Sequence, residues 1–166
     1  MNLKDSIMRK ISEKKIAIGI IGLGYVGLPL AVAFARKGIK VLGFEKSAKK
    51  AQAVNEGYNY IADIADSEVK ELSATRKLSA TMDFSRLAEM NAVIVCVPTP
   101  LDKYKKPDMS FIEAACMDIG RYMKPGTFIS LESTTYPTTT EEFMKPIIEK
   151  QSGLKEGFDF WLCFSP

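Results

Sequence analysis

The chain of 166 residues contains no histidine. This absence excludes a Ser-His-Asp triad, proton transfer by an imidazole and a histidine-ligated metal site within these residues. Cysteine is scarce as well, and Cys96, Cys116 and Cys163 form neither an even set nor a C-x-x-C pair. We therefore expect reduced thiols, no disulfide framework and no metal site.

Long apolar runs are also missing, since none approaches the roughly 18 residues that a membrane-spanning helix needs. Residues 1–7 have no hydrophobic signal core, so we expect a cytoplasmic protein with no membrane partner. The net charge is only +3, and the scattered basic residues are too few to indicate nucleic-acid binding. With 46% hydrophobic residues, the composition is that of one ordinary globular domain.

A strand, a glycine-rich turn, a helix and a second strand follow one another in the first third of the chain. The apolar run at 16–21 leads into G-x-G-x-x-G at 22–27, and a helical pattern then leads to an apolar run that ends in Glu45. This order of elements is the fingerprint of a dinucleotide-binding site, whereas the glycine pattern alone is weak evidence. The sequence therefore predicts a cofactor site at the turn.

Each glycine of the turn has a separate physical role. Gly22 lets the chain turn sharply off the strand, Gly24 leaves room for a pyrophosphate, and Gly27 lets the next helix approach the sheet. That helix begins with unpaired N–H groups and the positive end of its dipole, both of which suit phosphate oxygens. We expect much of the affinity to come from the backbone.

Glu45 ends the second strand, where a carboxylate can accept hydrogen bonds from both ribose hydroxyls of an adenosine. Because the same charge repels a 2′-phosphate, we expect NAD rather than NADP. The simpler alternative for Glu45 is a surface acid that merely ends a strand. Lys46, Lys49 and Lys50 keep NADP open, since a basic cluster can hold a phosphate. Otherwise these lysines form a solvated helix face.

The remaining elements continue to alternate between helix and strand. The predicted helices lie at 1–14, 25–37, 47–55, 66–74, 110–123 and 138–150, with a helical turn at 84–89. The predicted strands lie at 16–21, 40–45, 77–81, 92–97, 127–131 and 159–164. This alternation predicts an α/β fold of the Rossmann type, doubly wound, with a mainly parallel sheet and helices on both faces.

Polar residues follow two further buried strands. Pro98-Thr99-Pro100 comes after one of them, and Glu132-Ser133-Thr134-Thr135 comes after the next. In sheets of this kind, ligands bind outside the carboxyl ends of the strands. These two segments and the glycine turn are therefore expected to meet at one binding site, although Thr99 could also be a plain loop residue and Thr134 part of a helix entry.

Three segments together resemble one known family, namely Gly22–Pro29, Cys96–Leu101 and Glu132–Pro137. They are similar to the amino-terminal NAD-binding domain of the UDP-glucose/GDP-mannose dehydrogenase family, and the resemblance extends over nearly the whole chain. Residues 107–110 look most like the branch that acts on UDP-N-acetylhexosamines. Two positions depart from the family pattern, which usually has Asp in place of Glu45 and Gly in place of Thr138; Thr138 could instead serve as a helix N-cap.

The resemblance implies roles for particular residues. Tyr25 and Val26 would bind the pyrophosphate through their backbone, and Glu45 and Lys50 would hold the adenosine ribose. Thr99 and Thr134 would line the nicotinamide side, and Thr134 would also help to position a catalytic water. The full set of cofactor-binding residues implied by the motifs is Gly22, Gly24, Tyr25, Val26, Gly27, Glu45, Lys50, Val97, Pro98, Thr99, Glu132, Ser133 and Thr134.

The resemblance also implies an activity. The family oxidises the C6 alcohol of a nucleotide sugar twice, to a carboxylate, with two NAD molecules and a covalent cysteine intermediate. Its nucleophilic cysteine, its catalytic glutamate and lysine, its central helix and its UDP-sugar domain would lie beyond residue 166. Residues 15–166 are thus expected to be the NAD domain, with the helix at 1–14 packed on it, and to be inactive alone; the parent protein would be a homodimer or larger.

Other interpretations remain open at this point. A non-catalytic module that senses NAD would share the fold and the cofactor, whereas a 3-hydroxyacid dehydrogenase is disfavoured by the segments at 98–100 and 132–137. Cys96 and Cys163 are expected in strand interiors, where burial makes a thiol a poor nucleophile. Tyr60 and Tyr104 could face a substrate, but we expect both to pack on the protein.

Overall fold

Six parallel strands form one sheet at the centre of the protein. The computed structural model describes residues 3–101 and 105–165. The strands are β1 (Ala17–Ile21), β2 (Lys40–Phe44), β3 (Leu78–Thr81), β4 (Ala92–Val95), β5 (Phe128–Leu131) and β6 (Trp161–Phe164). Their spatial order is β3-β2-β1-β4-β5-β6, and every pairing is parallel. The order reverses between β1 and β4, which makes the carboxyl ends of these two strands the switch point.

Helices connect the strands. They are α1 (Leu3–Ser12), α2 (Gly27–Arg36), α3 (Ala48–Asn55), α4 (Asp66–Ala74), α5 (Ser110–Tyr122) and α6 (Lys145–Ser152), with a 3₁₀ helix at Phe84–Glu89 and a π-helical segment at Thr139–Met144. The side chain of Leu3 in α1 lies against Gly126, at the turn before β5. Within the described ranges, none of these helices is long and apolar enough to cross a membrane.

The core has two layers, one on each face of the sheet. Along β1 the side chains of Ile18 and Ile20 pack with α2, α3 and α4, whereas Ile21 packs with α5 and α6. Adjacent side chains of a strand point to opposite faces, so a run of consecutive apolar residues is suited to a sheet that is covered on both sides. The predicted doubly wound α/β fold of the Rossmann type is therefore confirmed.

The outer edge of the sheet at β3 is occupied by a side chain. The amide of Asn55, the last residue of α3, accepts a hydrogen bond from the N–H of Ala80 at 2.8 Å and donates one to its carbonyl oxygen at 2.9 Å. Both outward-facing backbone groups of Ala80 are thereby paired. In other edge residues, these groups have no partner within the sheet.

Some predicted boundaries were wrong. β4 ends at Val95 rather than at residue 97, because its neighbours β1 and β5 end opposite Val95 at Ile21 and Leu131. α2 begins at Gly27 rather than at residue 25, since the two preceding residues belong to the turn. The helix predicted at 138–150 is divided between the π-helical segment and α6. Tyr104 lies outside the described residues.

Thr138 does not act as the N-cap that the sequence suggested. It precedes the π-helical segment with a left-handed backbone, at a φ of 70°, and its side chain makes no capping hydrogen bond. β-Branched residues rarely adopt the left-handed conformation. This conformation costs an L-residue about 1–2 kcal/mol relative to glycine. The departure from the family's usual glycine therefore carries a conformational cost.

Candidate functional site

The glycine turn is closed by contacts that leave no room for side chains at two of its glycines. Gly22 has a φ of 91°, and a Cβ placed on it would lie 2.6 Å from the carbonyl oxygen of Cys96. A Cβ on Gly27 would overlap the carbonyl oxygen of Gly22 and lie 3.2 Å from Cβ of Cys96. The fold itself requires glycine at both positions, because the turn packs directly on the chain that leaves β4.

Gly24 differs from its two neighbours in the motif. A Cβ placed on it would meet no protein atom within 4 Å, and its φ is not in the left-handed region. The next side chains also point away from the protein, since Tyr25 is 80% exposed and Val26 is 54% exposed. The packing of the protein therefore gives no reason for glycine at this position, and the turn opens onto free space at the start of α2.

A cavity of about 480 Å³ lies in front of the turn. It collects eight of the predicted site residues: Gly22, Gly24, Tyr25, Val26, Glu45, Lys50, Val97 and Pro98. Gly27 is buried behind the turn. All of them except Lys50, which lies in α3, follow the ends of β1, β2 and β4. The strand order therefore accounts for their meeting at the switch point.

The carboxylate of Glu45 is held by two backbone N–H groups. Oε2 accepts a hydrogen bond from the N–H of Leu23 at 3.1 Å, and Oε1 accepts one from the N–H of Ser47 at 3.0 Å. Each carboxylate oxygen can accept a further hydrogen bond, so Glu45 can still receive ligand hydroxyls. Glu45 thus connects the glycine turn to the start of α3, a role that the sequence did not indicate.

The other four predicted site residues lie beside this cavity rather than in its lining. The Oγ1 of Thr99 donates to the carbonyl oxygen of Thr134 at 2.6 Å, and the Oγ of Ser133 donates to the carbonyl oxygen of Val97 at 2.7 Å. Glu132 accepts a hydrogen bond from Ser130 at 2.7 Å. The two segments after β4 and β5 are therefore joined to each other, as the sequence predicted for neighbouring strand ends.

The structure also bears on the alternative interpretation that Thr134 is part of a helix entry. Thr135, rather than Thr134, connects to the start of the next helical segment, through a hydrogen bond of 2.9 Å between its Oγ1 and that of Thr139. The side chain of Thr134 is exposed. Thr134 is therefore available for a ligand, because the contact with the helix entry is made by its neighbour.

Eight further residues line the cavity and are not among the predicted site residues: Ile21, Phe44, Lys46, Phe84, Cys96, Phe111, Ala115 and Asp118. Three of them occur at i, i+4 and i+7 along α5, which puts them on one face of the helix. That spacing was visible in the sequence. It could not be assigned to the site, however, because only the packing of α5 shows which face borders the cavity.

Two of the three thiols are buried where the thiolate is disfavoured, which makes them poor nucleophiles. Burial, and secondly the charge of Glu132, raises the pKa of Cys96 to about 12. Burial, with a contribution from Glu113, raises the pKa of Cys116 to about 12 as well. Cys163 lies partly buried in β6. Among the described residues there is also no group of three or more Cys, Asp and Glu side chains that could hold a metal ion.

A doubly wound parallel sheet, a G-x-G-x-x-G turn at the switch point and a carboxylate at the end of β2 define a dinucleotide-binding domain. Comparison with known proteins identifies the family. Residues 16–166 match the model of the UDP-glucose/GDP-mannose dehydrogenase family, NAD binding domain. The chain belongs to this family, its cofactor is NAD, and the resemblance seen in the sequence is confirmed.

Individual relatives agree with this assignment. The chain is 39% identical over 153 residues to UDP-N-acetyl-D-glucosamine 6-dehydrogenase of Pseudomonas aeruginosa, an alignment that covers 92% of the chain and 35% of that protein. Among solved structures it is similar to NDP-N-acetyl-D-galactosaminuronic acid dehydrogenase from Methanosarcina mazei Go1, with a TM-score of 0.86, 34% identity, and coverage of 100% of this chain and 38% of that one.

UDP-D-ManNAc dehydrogenase from Pyrococcus horikoshii is similar too, with a TM-score of 0.85 and 36% identity over 91% of this chain and 36% of that one. The chain therefore spans about a third of the length of the relatives it matches.

Proposed function

We propose that the chain binds NAD with the pyrophosphate over Gly24 and the adenosine ribose at Glu45. The observation that carries this proposal is the contrast within the glycine motif. Gly22 and Gly27 are required by the protein's own packing, whereas the space in front of Gly24 is empty of protein atoms. A glycine that the fold does not need is explained by a ligand that approaches the backbone closely.

The rest of the cavity accommodates the remaining parts of the adenosine and the pyrophosphate. The backbone N–H groups of Tyr25 and Val26, at the start of α2, would bind the phosphate oxygens. Lys50 would contact the ribose beside Glu45, and Val97 and Pro98 would cover it from the side of β4. The apolar wall made by Phe84, Phe111 and Ala115 suits the adenine ring.

The nicotinamide is proposed to lie toward the segments that follow β4 and β5. Thr99, Glu132, Ser133 and Thr134 are near these strand ends, and the hydrogen bond from Thr99 to Thr134 holds the two segments together. NAD supplies a hydride acceptor when it is bound. The exposed hydroxyl of Thr134 is the group we propose for positioning a water or a substrate oxygen beside it.

We further propose that residues 15–166 form the NAD domain, with the helix at 1–14 packed on it, of a nucleotide-sugar 6-dehydrogenase. The likeness to relatives named for UDP-N-acetylhexosamines supports a UDP-sugar of that kind as the substrate. The proposed setting is the cytoplasm, with a parent protein that is a homodimer or larger. Because burial makes Cys96 and Cys116 poor nucleophiles, the chain alone is proposed to bind NAD without turnover.

Glu45→Gln tests the ribose contact. Glutamine keeps the shape of the side chain but loses the charge and one of the two oxygens that accept from the N–H groups of Leu23 and Ser47. Hydrogen bonds to charged groups contribute about 1.5–3 kcal/mol. We therefore expect the affinity for NAD to fall at least about tenfold, while NADP binding improves because the 2′-phosphate is no longer repelled. Titration calorimetry with both cofactors measures this change. The matched control is Glu71→Gln, which removes an exposed carboxylate on α4 away from the cavity; equal NAD affinity in all three proteins would refute the role of Glu45.

The dehydrogenase proposal needs a separate test. The test needs a longer protein, in which this domain is joined to the other domains found in its relatives. We expect that protein to oxidise a UDP-N-acetylhexosamine and to form two NADH per sugar. The absorbance of NADH measures the reaction. NAD binding without oxidation of any nucleotide sugar tried would favour a module that senses NAD instead.

A further inference from the structure

The backbone of Leu23, between the first two glycines of the motif, is held on both sides of its Cα. Its N–H donates to Oε2 of Glu45 at 3.1 Å, and its carbonyl oxygen accepts a hydrogen bond from the hydroxyl of Tyr60 at 2.9 Å. The Leu23 side chain is fully buried, and a Cβ on Gly43 of β2 would lie 2.5 Å from it. Glu45 thus holds the Gly22–Leu23 peptide, and Tyr60 holds the Leu23–Gly24 peptide. With the side chain fixed beneath the turn, the two hydrogen bonds orient the two peptide planes that meet at Cα of Leu23.

Tyr60 reaches the turn from a segment without regular secondary structure between α3 and α4. That segment is ordered by the amide of its neighbour Asn59, which donates to the carbonyl oxygens of Ile61 and Ile64 at 2.8 and 2.6 Å and accepts from the N–H of Ile61 at 2.9 Å. Tyr60 is thus packed on the protein, as the sequence predicted.

The phenol of Tyr60 is suited to act as a permanent donor. Burial, and secondly the charge of Glu45, raises its pKa above the ordinary range, so the hydroxyl keeps its proton. The ammonium group of Lys50 lies over the ring, 6.0 Å from its centre. Tyr60 therefore adjoins both of the charged residues proposed to hold the ribose, although it is not among the residues that line the cavity.

From this arrangement we propose that Tyr60 is a positioning residue for cofactor specificity. It fixes the Leu23–Gly24 peptide, and through the backbone of Leu23 it orients the N–H that holds the Glu45 carboxylate. The carboxylate is thereby kept where it accepts a ribose 2′-hydroxyl and repels a 2′-phosphate. This inference rests on the proposed role of Glu45. It adds a residue outside the glycine motif, 37 positions along the chain from Leu23, to the determinants of the choice between NAD and NADP.

Tyr60→Phe tests the proposal because it removes only the hydroxyl. A single hydrogen bond contributes about 0.5–1.5 kcal/mol, so we expect NAD to bind about two- to tenfold more weakly. NADP binding should weaken less, since a displaced Glu45 repels the 2′-phosphate less, and the ratio of the two affinities should fall. Titration calorimetry with NAD and NADP on the 166-residue chain measures both. Tyr58→Phe is the matched control, because Tyr58 is 65% exposed.

A double-mutant cycle with Glu45→Gln separates positioning from general loosening of the fold. In the Glu45→Gln background, Tyr60→Phe should no longer change the ratio of NAD to NADP affinity. An unchanged ratio in the single variant, or an equal fall in both backgrounds, would overturn the proposal while leaving NAD binding itself intact. If the unmodified chain bound no NAD, both the proposed site and this inference would fail.

Discussion

Gly24→Ala is expected to weaken the binding of NAD by about a hundredfold or more while the free chain stays folded. The new methyl group meets no protein atom within 4 Å, so the unliganded turn has nothing to displace. It would occupy the space proposed for the pyrophosphate, and overpacking together with the loss of a hydrogen bond to a charged group costs about 2.5–6 kcal/mol. Titration calorimetry gives the affinity, and a thermal melt of the free chain gives the stability.

The expected pattern is loss of binding at nearly unchanged Tm. A variant that bound NAD as well as the original chain would show that the pyrophosphate does not pass over Gly24. A large fall in Tm would show instead that the position matters for the fold, contrary to the open space seen around it.

Gly27→Ala is expected to produce the opposite pattern, with a loss of about 3 kcal/mol or more in the free energy of unfolding. Its Cβ would overlap the carbonyl oxygen of Gly22, and backbone cannot move aside as the end of a flexible side chain can. For a chain of this size the Tm should fall by about 6–12 °C, as measured by calorimetry or circular dichroism.

The sign of the Gly27 effect is informative because helix propensity acts in the other direction. Gly27 is the first residue of α2, and alanine is favoured over glycine in helices by about 1 kcal/mol. A variant as stable as the original chain would therefore mean that the contact between α2 and the turn is looser than the structure has it. Gly24→Ala is the matched control, since it adds the same methyl group two residues past Gly22.

Much of the fold could be predicted from local sequence. Consecutive apolar residues such as Val93-Ile94-Val95 indicate strands covered on both faces, and their alternation with helices determines the class of sheet. Strand ends were predicted less well. β4 stops at Val95 although Cys96 and Val97 continue the apolar run, because the length of a strand depends on its neighbours in the sheet.

The site shows the same division between local and distant information. The glycine turn and Glu45 are close in sequence to the strands and the helix that position them, so a motif could reveal them. Glu45 and Leu23, which share a hydrogen bond, are 22 positions apart in the sequence, and Tyr60 and Leu23 are 37 positions apart. No spacing rule connects such pairs, and only the packed chain shows which side chains meet.

The hydrogen bonds between Asn55 and Ala80 bear on edge-to-edge aggregation of this protein. An exposed strand edge is a template on which another chain can add a strand, and this is a common route to aggregation. At β3 a side-chain amide occupies the position that such a strand would take. Asn55 therefore blocks the addition of a strand at Ala80, on the β3 edge of the sheet.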